Sequence, residues 1–412
     1  MAHKTLIGGI SYNVTGGKSL VGGTEYKIGK GRTLVGGTGY DIRFVPEKYA
    51  MLYSDGSFVF QEGNEVAEGK TLSSSYTDFE DNSKPPWNGR QSRFTGVSFD
   101  TEIKPTNMSY WFYNARNMIA NIDEFSNLNM RWVTDMYCVY SYCHNLTGSP
   151  VCGENVTNMA SAYYNCRNLT GSPVCGDNVT DMFSVYGGCY NLTGSPVCGD
   201  NVTNMSAAYS NCYNLTGSPV CGNNVTNMYY AYFNCYNLTG APVCGENVTY
   251  IGYTYINCFN LSGDAYFYSN NISSVRDCFM GRSNETTLNI YVHNGTTSLL
   301  SMLDSSQHSL VGDYINWTDD TTVNGCYYNS RYNIYIYPVE NVEIARLENE
   351  YDGMISFAAE NSEYVNIDNS ATVKTKWQYP AEQFTVDSGL AYSISVNTND
   401  IKDVTIEDME VK

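Results

Sequence analysis

Cysteine carries the most latent chemistry in this sequence, with fourteen copies against only four histidines, His3, His144, His293 and His308. Thiols form disulfides, ligate soft metals or act as nucleophiles, and spacing separates these uses. Six fall in one column (Cys143, Cys166, Cys189, Cys212, Cys235, Cys258) and five in another (Cys152, Cys175, Cys198, Cys221, Cys244). No Cys-x-x-Cys pair occurs and no histidine stands at a ligand spacing, so neither a metal nor a cofactor is predicted. Small polarizable thiols suit the interior of a stacked coil, and free buried thiols are expected in preference to disulfides between the columns.

The residue after each cysteine of the first column reads His144, Arg167, Tyr190, Tyr213, Tyr236 and Phe259. Four successive aromatics at one repeat position make a stripe able to stack on sugar rings or pack against a protein loop. Tyr190, Tyr213, Tyr236 and Phe259 are therefore the candidate partner-binding residues, the alternative being a peripheral part of the core. Triplets such as Asn145-Leu146-Thr147 and Asn155-Val156-Thr157 match glycosylation acceptors. Their repeat register points instead to an asparagine ladder whose amides satisfy backbone groups at coil corners.

These columns exist because a block opening Asn-Leu-[Thr/Ser]-Gly recurs at Asn145, Asn168, Asn191, Asn214, Asn237 and Asn260, always 23 residues apart. So short a unit cannot bury its own apolar face and becomes stable by stacking on its neighbours, which predicts a solenoid. Leu146 to Leu261, Val156 to Val248 and Met159 to Met228 supply apolar ladders, with Ile251 replacing the last methionine. Met159 to Tyr163 is an i, i+4 spacing and Tyr163 to Cys166 an i, i+3 spacing, so that segment predicts one or two helical turns. Ser-Pro-Val-Cys, bounded by glycine, predicts a short strand stacking in parallel. The expected class is an α/β leucine-rich-repeat-like solenoid over residues 105–288, flanked by β-rich domains.

Upstream, residues 1–43 hold Leu6-Ile7-Gly8-Gly9, Leu20-Val21-Gly22-Gly23 and Leu34-Val35-Gly36-Gly37, a 14-residue period of short strands around Gly-Gly turns. Three copies bury little alone, which predicts docking on a larger assembly or homo-oligomerisation. Residues 44–104 read as a β-rich entry domain with a hairpin at Asp55-Gly56. Residues 289–412 read as a C-terminal β domain, with strand-like runs at 332–337 and 391–396 and a solvated acidic tail at 407–412.

The net charge of −19 repels phosphate backbones and predicts no nucleic-acid partner. The first 43 residues run against that trend, with six basic residues and two acidic ones. No apolar run reaches membrane-spanning length, so no membrane insertion is expected, and glycine pairs interrupt the place where a signal peptide needs an apolar core. Synthesis in a bacterial cytoplasm without an export signal is the expectation.

Val156-Thr157-Asn158-Met159, then Tyr163-x-x-Cys166, then Asn168-Leu169-Thr170 resembles the BspA-type leucine-rich repeats of bacterial surface proteins, over residues 105 to 282. Segments 52–57 and 103–113 look like the leader preceding such repeats in gut bacteria and their phages. The glycine-rich N-terminal copies are similar to a short module of phage tail-associated proteins. Ser-Pro-Val-Cys departs from the longer apolar strand usual in the family. Together the resemblances imply a non-enzymatic virion adhesin or receptor-binding component on the tail or exterior. Its N-terminal repeats would dock on other virion proteins, and its repeat body would meet a host cell-surface glycan or protein. A purely structural fibre or decoration protein, a bacterial cell-surface adhesin and a glycan hydrolase with carboxylates in residues 290–412 are the alternatives.

Overall fold

The computed structural model describes residues 44–293 and 325–339 continuously, together with Val342 and the strands His3–Ile7, Ile10–Val14, Lys18–Val21, Thr24–Ile28, Thr318–Asp320, Tyr364–Ile367 and Ala391–Ile394. His3–Ile7 pairs antiparallel with Ile10–Val14, and Lys18–Val21 with Thr24–Ile28, which in turn pairs with Phe44–Pro46. The third glycine-rich copy and the acidic tail lie outside the described residues.

The hairpin predicted at Asp55-Gly56 forms between Lys48–Tyr53 and Ser57–Glu62. Asp55 Oδ1 accepts from Ser57 N at 3.0 Å, and Gly56 takes φ +88° against the Arg93 carbonyl, a place for a residue without Cβ. Leu72–Tyr76 and Gly96–Phe99 complete a four-stranded sheet. Alternation buries Phe58 and Phe60 on one face, where they meet Phe79, Trp87, Phe94, Phe99 and Trp111. Trp87 Nε1 donates to the Trp111 carbonyl at 2.7 Å, tying this aromatic plug to the first coil of the repeats. The apolar core then runs without a break from Ala50 to Ile336.

The predicted α/β leucine-rich-repeat-like solenoid is not what the repeats form. Residues 105–288 contain no α-helix, only the one-turn 3-10 segments Ile122–Glu124 and Met130–Trp132. Between Thr147 and Thr239 the only β pairing is by single-residue parallel bridges, Asn158 to Asp181, Asp181 to Asn204 and Asn204 to Asn227. The sheets are small and separate, and none winds along the repeats.

The stretch from methionine to cysteine, expected to be helical, is a string of turns of alternating hand. Ser161 and Asn165, Ala207 and Asn211, Tyr230 and Asn234 all have φ between +53° and +61°, outside any right-handed helix. Alternate amides close tight turns, Ala162 N to Met159 O and Cys166 N to Tyr163 O, while Ser161, Tyr163 and Asn165 donate to Phe183, Val185 and Gly187 of the next coil. This zigzag turns the methionine, tyrosine and cysteine inward as a helix would, so their spacing is common to both.

Ser-Pro-Val-Cys, expected to be a strand, has no strand pairing either, and the reason is a side chain. The fully buried Tyr163 donates its hydroxyl to Val151 O at 2.7 Å and accepts from Val151 N at 3.0 Å. Tyr186 with Val174, Tyr209 with Val197 and Tyr232 with Val220 repeat the arrangement. One phenol thus satisfies both backbone groups that a sheet partner would otherwise take. Around it, each coil buries a leucine, a valine, a methionine or isoleucine, and a tyrosine whose ring lies 5.4 to 5.6 Å from its neighbours. At roughly 1.5–3 kcal/mol per buried side chain the apolar term drives stacking, and the polar network selects the backbone path.

The cysteines are free thiols. The inner column is fully buried, each Sγ 3.0 to 3.1 Å from the carbonyl of the aromatic residue one coil back, as Cys189 is to Tyr163. Burial raises all these thiols, and pushes Cys152 and Cys221 of the outer column up to about 11 and Cys198 to about 12. At the far end Arg282 takes the place of the next inner cysteine. Its guanidinium is buried and donates to the carbonyls of Leu261, Ser283, Thr286 and Tyr332. Beyond it lies a mixed sheet of Gly263–Phe267, Leu288–His293, Ile334–Val339, Cys326–Asn329 and Thr318–Asp320, so the boundary expected after residue 288 falls inside a strand.

Two outcomes follow from these interior groups. Tyr209→Phe leaves the half-buried N–H and C=O of Val197 unpaired and should lower unfolding free energy by on the order of 1 kcal/mol in denaturant titration. Tyr140→Phe should instead raise it by about 1 kcal/mol, because the buried Tyr140 hydroxyl has no partner and its removal relieves a desolvation cost. Raised thiol and phenol values mean that the folded chain holds protons the unfolded chain releases. Stability should therefore be level through neutral pH and fall as pH rises past the unfolded thiol value of 9.0. Iodoacetamide at pH 8 should leave the inner column unlabelled by mass spectrometry until denaturant is added.

Candidate binding surface

The column after the inner cysteines is positioned by the turn that ends each coil. A left-handed residue, Asn165, Gly188, Asn211, Asn234 or Asn257, reverses the chain so that the cysteine points in and its successor points out. Gly188 has φ +78° and fills a position that asparagine holds in the other copies, both residue types that tolerate positive φ. The asparagine that follows the column pins it. Asn214, Asn237 and Asn260 each donate Nδ2 at 3.0 Å to the carbonyl of Tyr190, Tyr213 and Tyr236, and Asn145 does so to Arg116. The asparagine ladder expected from the triplets is thus present as backbone-satisfying amides. A second set, such as Asn178 to Glu154 O and Asn201 to Asp177 O, joins other corners.

Tyr190, Tyr213, Tyr236 and Phe259 come together as one continuous stack. Ring centroids are 4.9, 4.9 and 5.2 Å apart, with interplanar angles of 9°, 3° and 11°. The three tyrosines are half-buried and Phe259 is 38% exposed. Their faces are engaged with each other, so the surface presents a row of ring edges and phenol hydroxyls, not the open faces on which a sugar would stack. Burial, then Tyr190 and Tyr236, raise the Tyr213 phenol, which keeps it a neutral donor.

The column does not begin at Tyr190. Arg167 lies over the Tyr190 ring at 5.6 Å to the centroid, His144 precedes it, and Arg116 occupies the same position in the irregular leading coil. Arg116 sits over Tyr142 at 5.4 Å, and its Nε donates to Asn114 Oδ1 at 2.7 Å. Burial, then Arg167 and Arg116, lower His144. The sequence conceals Arg116 because its coil has Ala115 in place of cysteine and stands 28 residues before His144.

A second aromatic field, not singled out in the sequence, lies along the turns after the methionine ladder. Tyr110, Tyr113, Tyr137, Tyr142 and Tyr164 form one edge-to-face cluster. Tyr229, Tyr230, Phe233 and Tyr253 form another. Tyr137 and Tyr229 are 36% and 42% exposed, so both clusters reach the surface. Among the described residues no three His, Cys, Asp or Glu side chains group as a metal site, and no helix is long and apolar enough to cross a membrane. No family model, curated protein or solved structure matches the chain, and the resemblance to BspA-type repeats rests on the residues quoted for it above.

Proposed function

We propose that the protein is a non-enzymatic adhesin of a phage virion, docking through its N-terminal repeats on other virion proteins and meeting a host cell-surface glycan or protein with its repeat body. The observation that carries this reading is the outward column at Tyr190, Tyr213, Tyr236 and Phe259. Most other regular positions of the unit bond or pack within the stack, whereas this one spends a large aromatic side chain on the surface. Rings held edge-on at fixed spacing offer a hydroxyl row that needs no reordering to bind, which favours affinity. A structural fibre or decoration protein is the second reading, favoured by the rings satisfying one another face to face.

The two readings part in a cell-binding assay with the purified full chain. As an adhesin it should bind susceptible cells, and replacing Tyr190, Tyr213 and Tyr236 together by Ser should weaken binding at least about ten-fold, a loss of roughly 1.4 kcal/mol. The corresponding triple Phe variant keeps the stack and should melt with the parent. A chain that binds no cells would be structural, and a triple Ser variant that no longer folds would assign the column to the core.

A further inference from the structure

Arg116, His144 and Arg167 stand in one column on a chain whose net charge is −19. Cations on so acidic a protein would ordinarily be neutralised by a neighbouring carboxylate, as Arg131 is by Glu154 and Arg276 by Asp277. Among the described residues neither Arg116 nor Arg167 has a carboxylate within ion-pair distance. His144 Nε2 is buried and has no hydrogen-bond partner, and burial together with the two arginines keeps the ring neutral.

The carboxylates of these coils are held elsewhere. Glu154, Asp177 and Asp200 follow the glycine at another corner, while Asp135 and Asp181 each use an oxygen on a backbone amide, Tyr137 N and Phe183 N, at 2.8 Å. Both arginines are exposed but not loose, since each guanidinium lies over a tyrosine ring, which limits its rotamers and leaves outward N–H groups free to donate. A preoriented guanidinium binds a carboxylate through paired N–H donors. The next positions in the column are not cationic: they are the phenols of Tyr190, Tyr213 and Tyr236, flanked by the exposed Asn191, Asn214 and Asn237.

We propose that the guanidinium groups of Arg116 and Arg167, in one column with Tyr190, Tyr213, Tyr236 and Phe259 and with the neutral His144 between the two arginines, form one linear track for an acidic polysaccharide. Its carboxylates lie on the cationic half and its neutral hydroxyl-bearing portions along the ring edges and phenols. The inference rests on the adhesin reading and names the ligand class of the same site. A track of donors at the regular spacing of the coils suits a polymer of repeating units, and a row of hydroxyls and amides suits a polyhydroxylated anion better than an apolar peptide anchor.

The test is affinity electrophoresis of the full chain against three carboxylated polysaccharides (polygalacturonate, alginate and polysialate), with neutral dextran, dextran sulfate and polyglutamate as comparisons. Retardation by at least one carboxylated polysaccharide is expected. It should fall at least about ten-fold in the Arg116→Gln/Arg167→Gln double variant, the loss of one charge-assisted contact or more. Unchanged melting temperature confirms that these exposed substitutions leave the fold intact. The cationic half is overturned if the double variant binds like the parent. Equal retardation by dextran sulfate would mean a site for charge alone, and equal retardation by polyglutamate an acidic peptide site; either overturns the proposal, as does equal retardation by dextran. A chain that binds cells but none of the carboxylated polysaccharides overturns this inference and leaves the adhesin reading standing, whereas binding to neither removes both.

Discussion

The repeats depend on a hydrogen bond pair that a phenylalanine could not make. Four coils contain a stretch, Ser-Pro-Val-Cys, that has no strand partner and no helix to satisfy it, yet its valine backbone lies near the core. Leaving that half-buried N–H and C=O unpaired would cost on the order of 1 kcal/mol, a sizeable part of what a buried leucine contributes. The tyrosine one half-coil later closes both with a single hydroxyl, and its ring fills the centre of the stack. Polar and apolar requirements of the coil are thus met by one residue. The exception supports the account: the coil of Tyr140 lacks the Ser-Pro-Val-Cys stretch, and its hydroxyl is the one in the column from Tyr140 to Tyr255 without a partner.

Because side chains satisfy the corners, the backbone is released from sheet or helix geometry. Each threonine after the core valine donates both its amide and its hydroxyl to the carbonyl of the corresponding threonine one coil back, as Thr180 does to Thr157 and Thr203 to Thr180. Inner cysteines donate to carbonyls one coil back, which explains why a thiol recurs where a slightly larger polar group would not fit and an alanine would leave the carbonyl with one donor fewer. Arg282 then closes this column by offering several donors where a cysteine offers one, at a point where the carbonyls of Leu261, Thr286 and Tyr332 converge.

The ladders were legible in the sequence, and so were the aromatic column and the free thiols, because a fixed period reveals which residues share an environment. Backbone conformation was not, because Met159, Tyr163 and Cys166 face inward both in a helix and in turns of alternating hand. The distinguishing signal lay two residues away, in Asn165, Asn211, Asn234 and Asn257 with Gly188, the residue types that tolerate positive φ. Five such residues in one register argue against a helix more strongly than apolar spacing argues for one. The orientation of the exposed rings was hidden for a different reason. It follows from neighbouring coils lying close enough for their rings to stack with centroids 4.9 Å apart, and no single unit encodes that closeness.

Comparison of the copies within the chain separates what the stack requires from what it permits. Leucine, valine, tyrosine and inner cysteine hardly change from coil to coil, since each completes a contact in the coil before or after. The outward position at the end of each coil is set by the same left-handed turn, and an asparagine amide holds the carbonyl of Arg116, Tyr190, Tyr213 and Tyr236 there, yet the column changes chemistry from Arg116, His144 and Arg167 to Tyr190, Tyr213, Tyr236 and Phe259. A site with fixed geometry and freely varying side chain is one where the fold imposes position but not identity. The ordering of the residues there, basic at one end and aromatic at the other, is therefore not explained by the stability of the coils. It falls on the part of the surface that a partner would read.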